Sequence, residues 1–265
     1  MKKVAASVLL VLCASLSAGL IVKPAHAEAI LIAANESRPP KVFKDQQGMA
    51  QGILVEIMRY IQDEMGQQFN LELYPWSRAL KMASNGEAGI IGLSVNKERL
   101  VIFDYPAQPL FHDELVLVTR AGKEFPFSTV ADLKGKLIGV CRNCSHGDAY
   151  DQAVRDKIFE PVPGDSASAQ LAMLLHDRID AVLVTVGRAG FEEALRGKVA
   201  GVDLAQHRDK FVILPVPFAR DPNYLAFAKS MDKKKFLAQV DVVLKKGHES
   251  GAIQKIIDRY IASRQ

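Results

Sequence analysis

From residue 29 onward, short apolar runs alternate with segments of helical periodicity, and no other feature limits the fold as strongly. "AILIAAN" (29–35), "FNLELYP" (69–75) and "GIIGLSV" (89–95) read as strands. Between them, "GILVEIMRYIQDEMG" (52–66) carries Ile53, Ile57, Tyr60 and Ile61 at helical spacing and ends on Gly66, and "SRALKMASNG" (77–86) is a short helix with Gly86 at its end. The stretch "PPKVFKDQQG" reads as a loop. Further on, "ELVLVTRAG", "KLIGV" and "DAVLVTV" are strands, and "KFVILPVPFA" is an extended run broken by prolines. The segments 147–159 and 166–178 are helices, and the last 30 or so residues are helical, with Val240, Val243, Leu244, Ile253, Ile256 and Ile257 as their apolar face. Such alternation with short connectors predicts an α/β architecture with largely parallel sheets. Ligands in such folds sit beyond the carboxyl ends of strands. That singles out the polar residues there: Asn35 to Arg38, Ser94 to Arg99, Asn143 to Ser145, and Thr185.

The first residues read as a secretory signal. Lys2 and Lys3 precede an almost wholly apolar stretch from Val4 to Val22, and "KPAHA" supplies small residues at Ala25 and Ala27. Cleavage is expected after Ala27. Pro24 and the A-x-A site argue against a membrane anchor, and Leu12 before Cys13 argues against a lipid anchor. The removed part holds Lys2, Lys3 and Lys23 and no acid, so the net charge falls from +4 to +1. A nearly neutral mature chain has no electrostatic case for nucleic acid.

The expected mature chain keeps two cysteines, in "GVCRNCSHGDAY" (139–150). Their C-x-x-C spacing raises a redox motif, half a metal site, or a haem site. The haem reading fails because Ser145, not His, follows Cys144, and zinc lacks a second ligand pair. In an oxidising compartment Cys141 and Cys144 should form a disulfide. So small a loop adds only about 2 kcal/mol of stability by chain entropy. A thiol oxidoreductase remains an alternative, because C-x-x-C at a helix start lowers a thiol pKa. The rest of the chain does not read as a thioredoxin fold. No metal site and no cofactor motif is read.

The order of motifs resembles the family 3 extracellular solute-binding proteins, the two-lobed periplasmic receptors of polar amino acid uptake systems. The resemblance rests on "QGMAQGILVEIMRYIQDEMG", "PWSRALKMASNGEAGIIGLSVNKERLVIFDYPAQPLF", "DLKGKLIGV", "RIDAVLVTV" and "GAIQKIIDRYI", in that order, over essentially the whole mature chain. It implies a type II periplasmic-binding-protein fold: two hinge-connected lobes, each a central mixed sheet flanked by helices. Residues 1–27 would be the signal, 28–118 plus 222–265 the first lobe, and 119–221 the second. It also implies a periplasmic monomer that is not an enzyme and that closes on a small-molecule ligand and presents it to an inner-membrane ABC permease.

The same resemblance implies the ligand contacts. Arg99, in the "ER" block, would hold a carboxylate; a planar guanidinium pairs with one through two parallel hydrogen bonds. Ser94 and the Gly92 carbonyl would support the ligand. Trp76 matches an apolar pocket-wall position, with ordinary core packing as the alternative. Asn143, Cys144 and Ser145 take places where relatives set small residues against the ligand, and the disulfide would shape that loop. Two positions depart. Arg38 stands where an aromatic is common, and Thr185 stands where an aspartate binds the ligand ammonium. Both departures shift the pocket toward anions, so a carboxylate or dicarboxylate is as much expected as an amino acid. Arg99 and Arg38 are the charged groups expected in the cleft. An enzyme of dehydratase type on the same fold, with His112 or His146 as acid, and a receptor feeding a sensor are the alternatives.

Overall fold

The computed structural model of the chain describes residues 29–264. The expected signal, including Cys13, lies outside the described residues. The first strand, β1 (Ile30–Asn35), sends Ile32, Ala33 and Ala34 into full burial. A short three-stranded sheet follows: β2 (Ser37–Arg38), β3 (Val42–Lys44) and β4 (Ala50–Gln51). The sequence reads this segment as loop, because strands of two or three residues leave no periodicity to detect. Helix α1 (Ile53–Met65) buries Leu54, Ile57, Met58 and Ile61 on one face and ends at Gly66, in the left-handed region at φ 65°. Then come β5 (Phe69–Tyr74), α2 (Trp76–Ser84), β6 (Gly89–Leu93), α3 (Lys97–Ile102) and β7 (Phe103–Asp104).

The middle of the chain runs through β8 (Phe111–Arg120), β9 (Leu137–Cys141), α4 (Asp148–Arg155), β10 (Glu160–Gly164), α5 (Ala167–Leu175), β11 (Ala181–Val184) and α6 (Gly187–Leu195). A small hairpin, β12 (Lys198–Val199) and β13 (Val202–Asp203), precedes β14 (Phe211–Ile213) and β15 (Ala219–Ala228). Helices α7 (Lys234–Glu249) and α8 (Ala252–Ala262) close the described chain.

The main sheet runs β10-β9-β11-β8-β15-β6-β1-β5. Its two ends are parallel: β5, β1 and β6 at one, β10, β9 and β11 at the other. The ten-residue strands β8 and β15 join them, antiparallel to their neighbours, so the sheet is mixed. In the first lobe α1, α7 and α8 pack on one face of the sheet, and Ala79 and Ala83 of α2 on the other. In the second, Leu171 and Leu174 of α5 with Phe191 of α6 cover one face, and Tyr150 and Ala153 of α4 the other. Each lobe is thus a sheet buried between helices, as parallel strands require.

The chain changes lobe twice, on β8 and on β15. Phe111 belongs to the core of the first lobe and Leu115 to that of the second. On the return, Ala219 packs in the second lobe and Leu225 in the first. The expected first-lobe boundary at 118 lies farther along β8, whereas Leu115 to Val118 already pack in the second lobe. Asp113 of β8 lies opposite Asp221 of β15 at the crossing.

Candidate ligand cleft between the lobes

Strands β1 and β6 of one lobe, and β9 and β11 of the other, end at the same seam. The loops beyond them line one cavity, together with Asp221 of the crossing strand β15. Asn35, Arg38, Gly92, Ser94 and Arg99 line it from the first lobe with Trp76 at the start of α2; Cys144, Ser145 and Thr185 line it from the second. Asn143 is not in the wall. It sits at the rim, where its side chain donates to Ser77 Oγ (2.9 Å) and its carbonyl accepts from Trp76 Nε1 (3.1 Å). It is an interlobe fastener rather than a wall residue. Its backbone is left-handed, φ 57°, a region that asparagine adopts more readily than most residues.

Arg99 is set in place by its own helix end. Asn96 caps α3, accepting from the Arg99 N–H (2.8 Å). The Arg99 side chain is 8% exposed; Nη1 donates to the Ser94 carbonyl (3.0 Å), and the guanidinium lies 6.0 Å from the centre of the Trp76 ring. Among the described residues no carboxylate forms a salt bridge with it. Burial pulls its pKa below the ordinary arginine value, and the negative potential of Tyr105, Asp151, Asp221 and Glu98 partly offsets that.

Arg38 points inward. Its Nη2 approaches Cys144 Sγ at 3.9 Å, while its Nε is closed off from water and has no hydrogen-bond partner. Burial lowers its pKa to about 10, against a smaller upward pull from Asp165. Cys141 and Cys144 are joined as a disulfide, with Cα atoms 5.5 Å apart, and both line the cavity.

The cleft holds more charge than Arg99 and Arg38, the two groups expected there. Lys41 lines it and pairs with Asp113 at 2.8 Å; Asp113 is fully buried and also accepts from the Val186 N–H (2.6 Å). Asp221, 4% exposed, accepts from Ser94 Oγ (2.6 Å) and lies 3.5 Å from His146 Nδ1. The anionic side of the pocket therefore corrects the expectation of an all-cationic one. These acids escaped the sequence reading because it searched strand ends, whereas Asp113 and Asp221 sit within strands. Their facing placement on β8 and β15 is set by strand register, which the linear sequence does not show, and buried there they need partners.

The lobes touch across the seam. Asn96 Nδ2 donates to Ser145 Oγ (3.0 Å) and to Asp151 (2.8 Å), and the Lys97 N–H donates to Asp148 (3.0 Å). The enclosed space is about 40 Å³. A larger groove of about 840 Å³ lies between α6 and α8. Its four arginines each reach a glutamate, Arg264 and Arg196 at Glu193, Arg208 and Arg188 at Glu192. The smaller cavity is lined by two buried arginines, Arg38 and Arg99, that form no salt bridge among the described residues. Among the described residues no group of three or more His, Cys, Asp or Glu is arranged to hold a metal ion.

A family model described as "Bacterial extracellular solute-binding proteins, family 3" matches residues 30–263. The chain belongs to that family. Within family 3, it is 21% identical over 248 residues to the L-cystine-binding protein TcyJ of Escherichia coli (strain K12), covering 92% of this chain and 87% of that one. Its fold matches the arginine-specific periplasmic binding protein of Salmonella typhimurium with a TM-score of 0.67 at 19% identity, over 89% of this chain and 100% of the other. A histidine kinase sensor domain similar to periplasmic binding proteins matches with a TM-score of 0.71 at 19% identity, over 89% and 96%. The two-lobed fold expected of a family 3 protein is the fold observed.

Proposed function

We propose that this protein is a periplasmic receptor that captures a small carboxylate-bearing solute between its lobes and presents it to an inner-membrane ABC permease. One observation carries the reading: the Arg99 guanidinium is buried beside the cavity, held by the Ser94 carbonyl, and paired with no carboxylate of the described chain. A buried cation without a counter-charge is costly, and an anionic ligand group is what relieves it. The curated relative binds cystine and the structural relative is specific for arginine; both are amino acids with an α-carboxylate. No proton-transfer apparatus is needed for this role, and the geometry supplies hydrogen-bond donors and charge rather than a nucleophile.

The test is calorimetry of the purified protein against amino acids and organic acids, with wild type and Arg99→Gln. Arg99→Gln should lower affinity for any bound carboxylate by about 30-fold or more, the effect of truncating one partner of a buried charge pair. A folded variant with unchanged affinity refutes the role of Arg99. Loss of uptake of the identified solute in cells lacking the protein would support a transport partner; unchanged uptake with altered gene expression would point to a sensor.

A further inference from the structure

The charges lining the cleft do not cancel. Lys41 is neutralised by Asp113, which is fully buried beneath it. Among the lining residues that leaves two guanidiniums, Arg99 and Arg38, against one carboxylate, Asp221, while Asp151 and Glu98 act on Arg99 and Asp165 on Arg38 from outside the wall. Neither arginine forms a salt bridge among the described residues. Asp221 receives Ser94 Oγ and faces His146 Nδ1, and a carboxylate offers about four acceptor positions, so it has room for a further donor.

Arg38 is unlike an ordinary loop arginine. Its Nε is sealed from water with no acceptor, and its one polar contact is a disulfide sulfur, a weak acceptor. Burial has already drawn its pKa down to about 10, so the charged form is under strain where it sits. The guanidinium is held there by the fold: Arg38 pairs with Val42 in the short sheet after β1, and Cys144 is fixed opposite by its bond to Cys141. Ser94 and Arg99 approach from β6 and α3, so the two cations reach the cavity from different elements.

We propose that the ligand carries two carboxylates and one amino group, the pattern of an acidic amino acid. Arg99 takes one carboxylate, Arg38 the other, and Asp221 the ammonium. A ligand of net charge −1 then cancels the residual positive charge of the wall. Thr185 has no charge to offer an ammonium, and Asp221 provides it from the crossing strand instead. The inference rests on the solute-binding reading above and narrows it.

The experiment is calorimetry with L-glutamate, L-aspartate, L-glutamine, L-arginine and glutarate, on wild type, Arg38→Gln and Arg38→Lys. Wild type should bind L-glutamate or L-aspartate about 30-fold or more tighter than L-glutamine, and tighter than glutarate, which lacks the amino group. Arg38→Gln should remove that preference by weakening the acidic ligand alone, and Arg38→Lys should restore part of it. Thermal unfolding of both ligand-free variants checks that they fold. The proposal is overturned if L-glutamine or L-arginine binds more tightly than either acidic amino acid, or if folded Arg38→Gln keeps full affinity for the acidic one. In those cases Arg99→Gln decides the broader reading: loss of the ligand that does bind upholds it. Absence of any binding to wild type overturns the acidic-amino-acid assignment, and the wider panel of amino acids and organic acids then decides the broader reading.

Discussion

Asp113 shows what a single residue does at the crossing. Its carboxylate has no exposure, holds Lys41 at 2.8 Å, and accepts from the N–H of Val186 at 2.6 Å. Val186 is in the left-handed region at φ 60°, a costly place for a β-branched residue. One acid therefore anchors a cation of the first lobe and a strained turn of the second. Removing one partner of a buried pair leaves the other charge uncompensated, at about 3–5 kcal/mol. Asp113→Asn keeps the shape and an acceptor for Val186 but strands Lys41. Its unfolding midpoint should fall by about 6–20 °C, given about 2–4 °C per kcal/mol in a chain of this size. A fall below about 2 °C would show that Lys41 finds solvent instead. Legibility at this scale followed location: Arg99 and Ser94 stand in a recognisable block at a strand end. Asp113 and Asp221 read as isolated acids in strands whose facing register no linear pattern reveals. Lys41 was hidden in the segment read as loop, and His146 was named only as an acid for an alternative chemistry.

Among the elements, α6 best shows the limit of pattern reading. Its sequence, "GRAGFEEAL", opens with two glycines, which lower helix propensity, and the sequence analysis assigns it no helix. The second glycine has a packing reason. A Cβ at Gly190 would stand 1.8 Å from the carbonyl oxygen of Thr185, so only glycine lets the helix begin that close to the end of β11. Phe191, Ala194 and Leu195 then bury the helix against the second lobe, and tertiary packing outweighs propensity. Gly190→Ala should push the Thr185 backbone aside and cost about 1–3 kcal/mol of stability. Because Thr185 lines the cavity, the same substitution should weaken ligand binding in calorimetry. Lost stability with intact affinity would place the adjustment in α6 rather than at Thr185. The elements that were legible, α1, α7 and α8, carry long apolar stripes at helical spacing. The crossing strand β15 is not read in the sequence as a strand, because Pro222 breaks its alternation. Pro222 pairs with His112 one residue before the β8 ladder ends at Asn223, and the β6 ladder begins only at Tyr224, so the proline stands near a strand changeover with β8 on one side alone.

At the level of the whole molecule, binding requires the lobes to part. The space of about 40 Å³ between the lobes holds on the order of three water molecules, too little for an amino acid with the lobes as they stand. Entry therefore needs rotation about the two crossing strands, the hinge motion by which two-lobed proteins close around ligands. The closed form is fastened on both sides of the seam. Asn96 reaches Ser145 and Asp151, and Asp151 also accepts from Ser145 Oγ at 2.7 Å. Trp76, the one tryptophan of the chain, donates across the seam to Asn143. Its emission should therefore report closure directly: adding ligand should shift it, with a midpoint equal to the calorimetric Kd. Asp151→Ala removes an acceptor of the interlobe bond from Asn96, together with one of the negative charges that act on Arg99. A lost hydrogen bond to a charged group is worth about 1.5–3 kcal/mol, so affinity should fall about 10-fold or more and the emission midpoint should move with it. Asp151→Ala binding as tightly as wild type, with the same emission change, would show that ligand contacts alone hold the lobes shut.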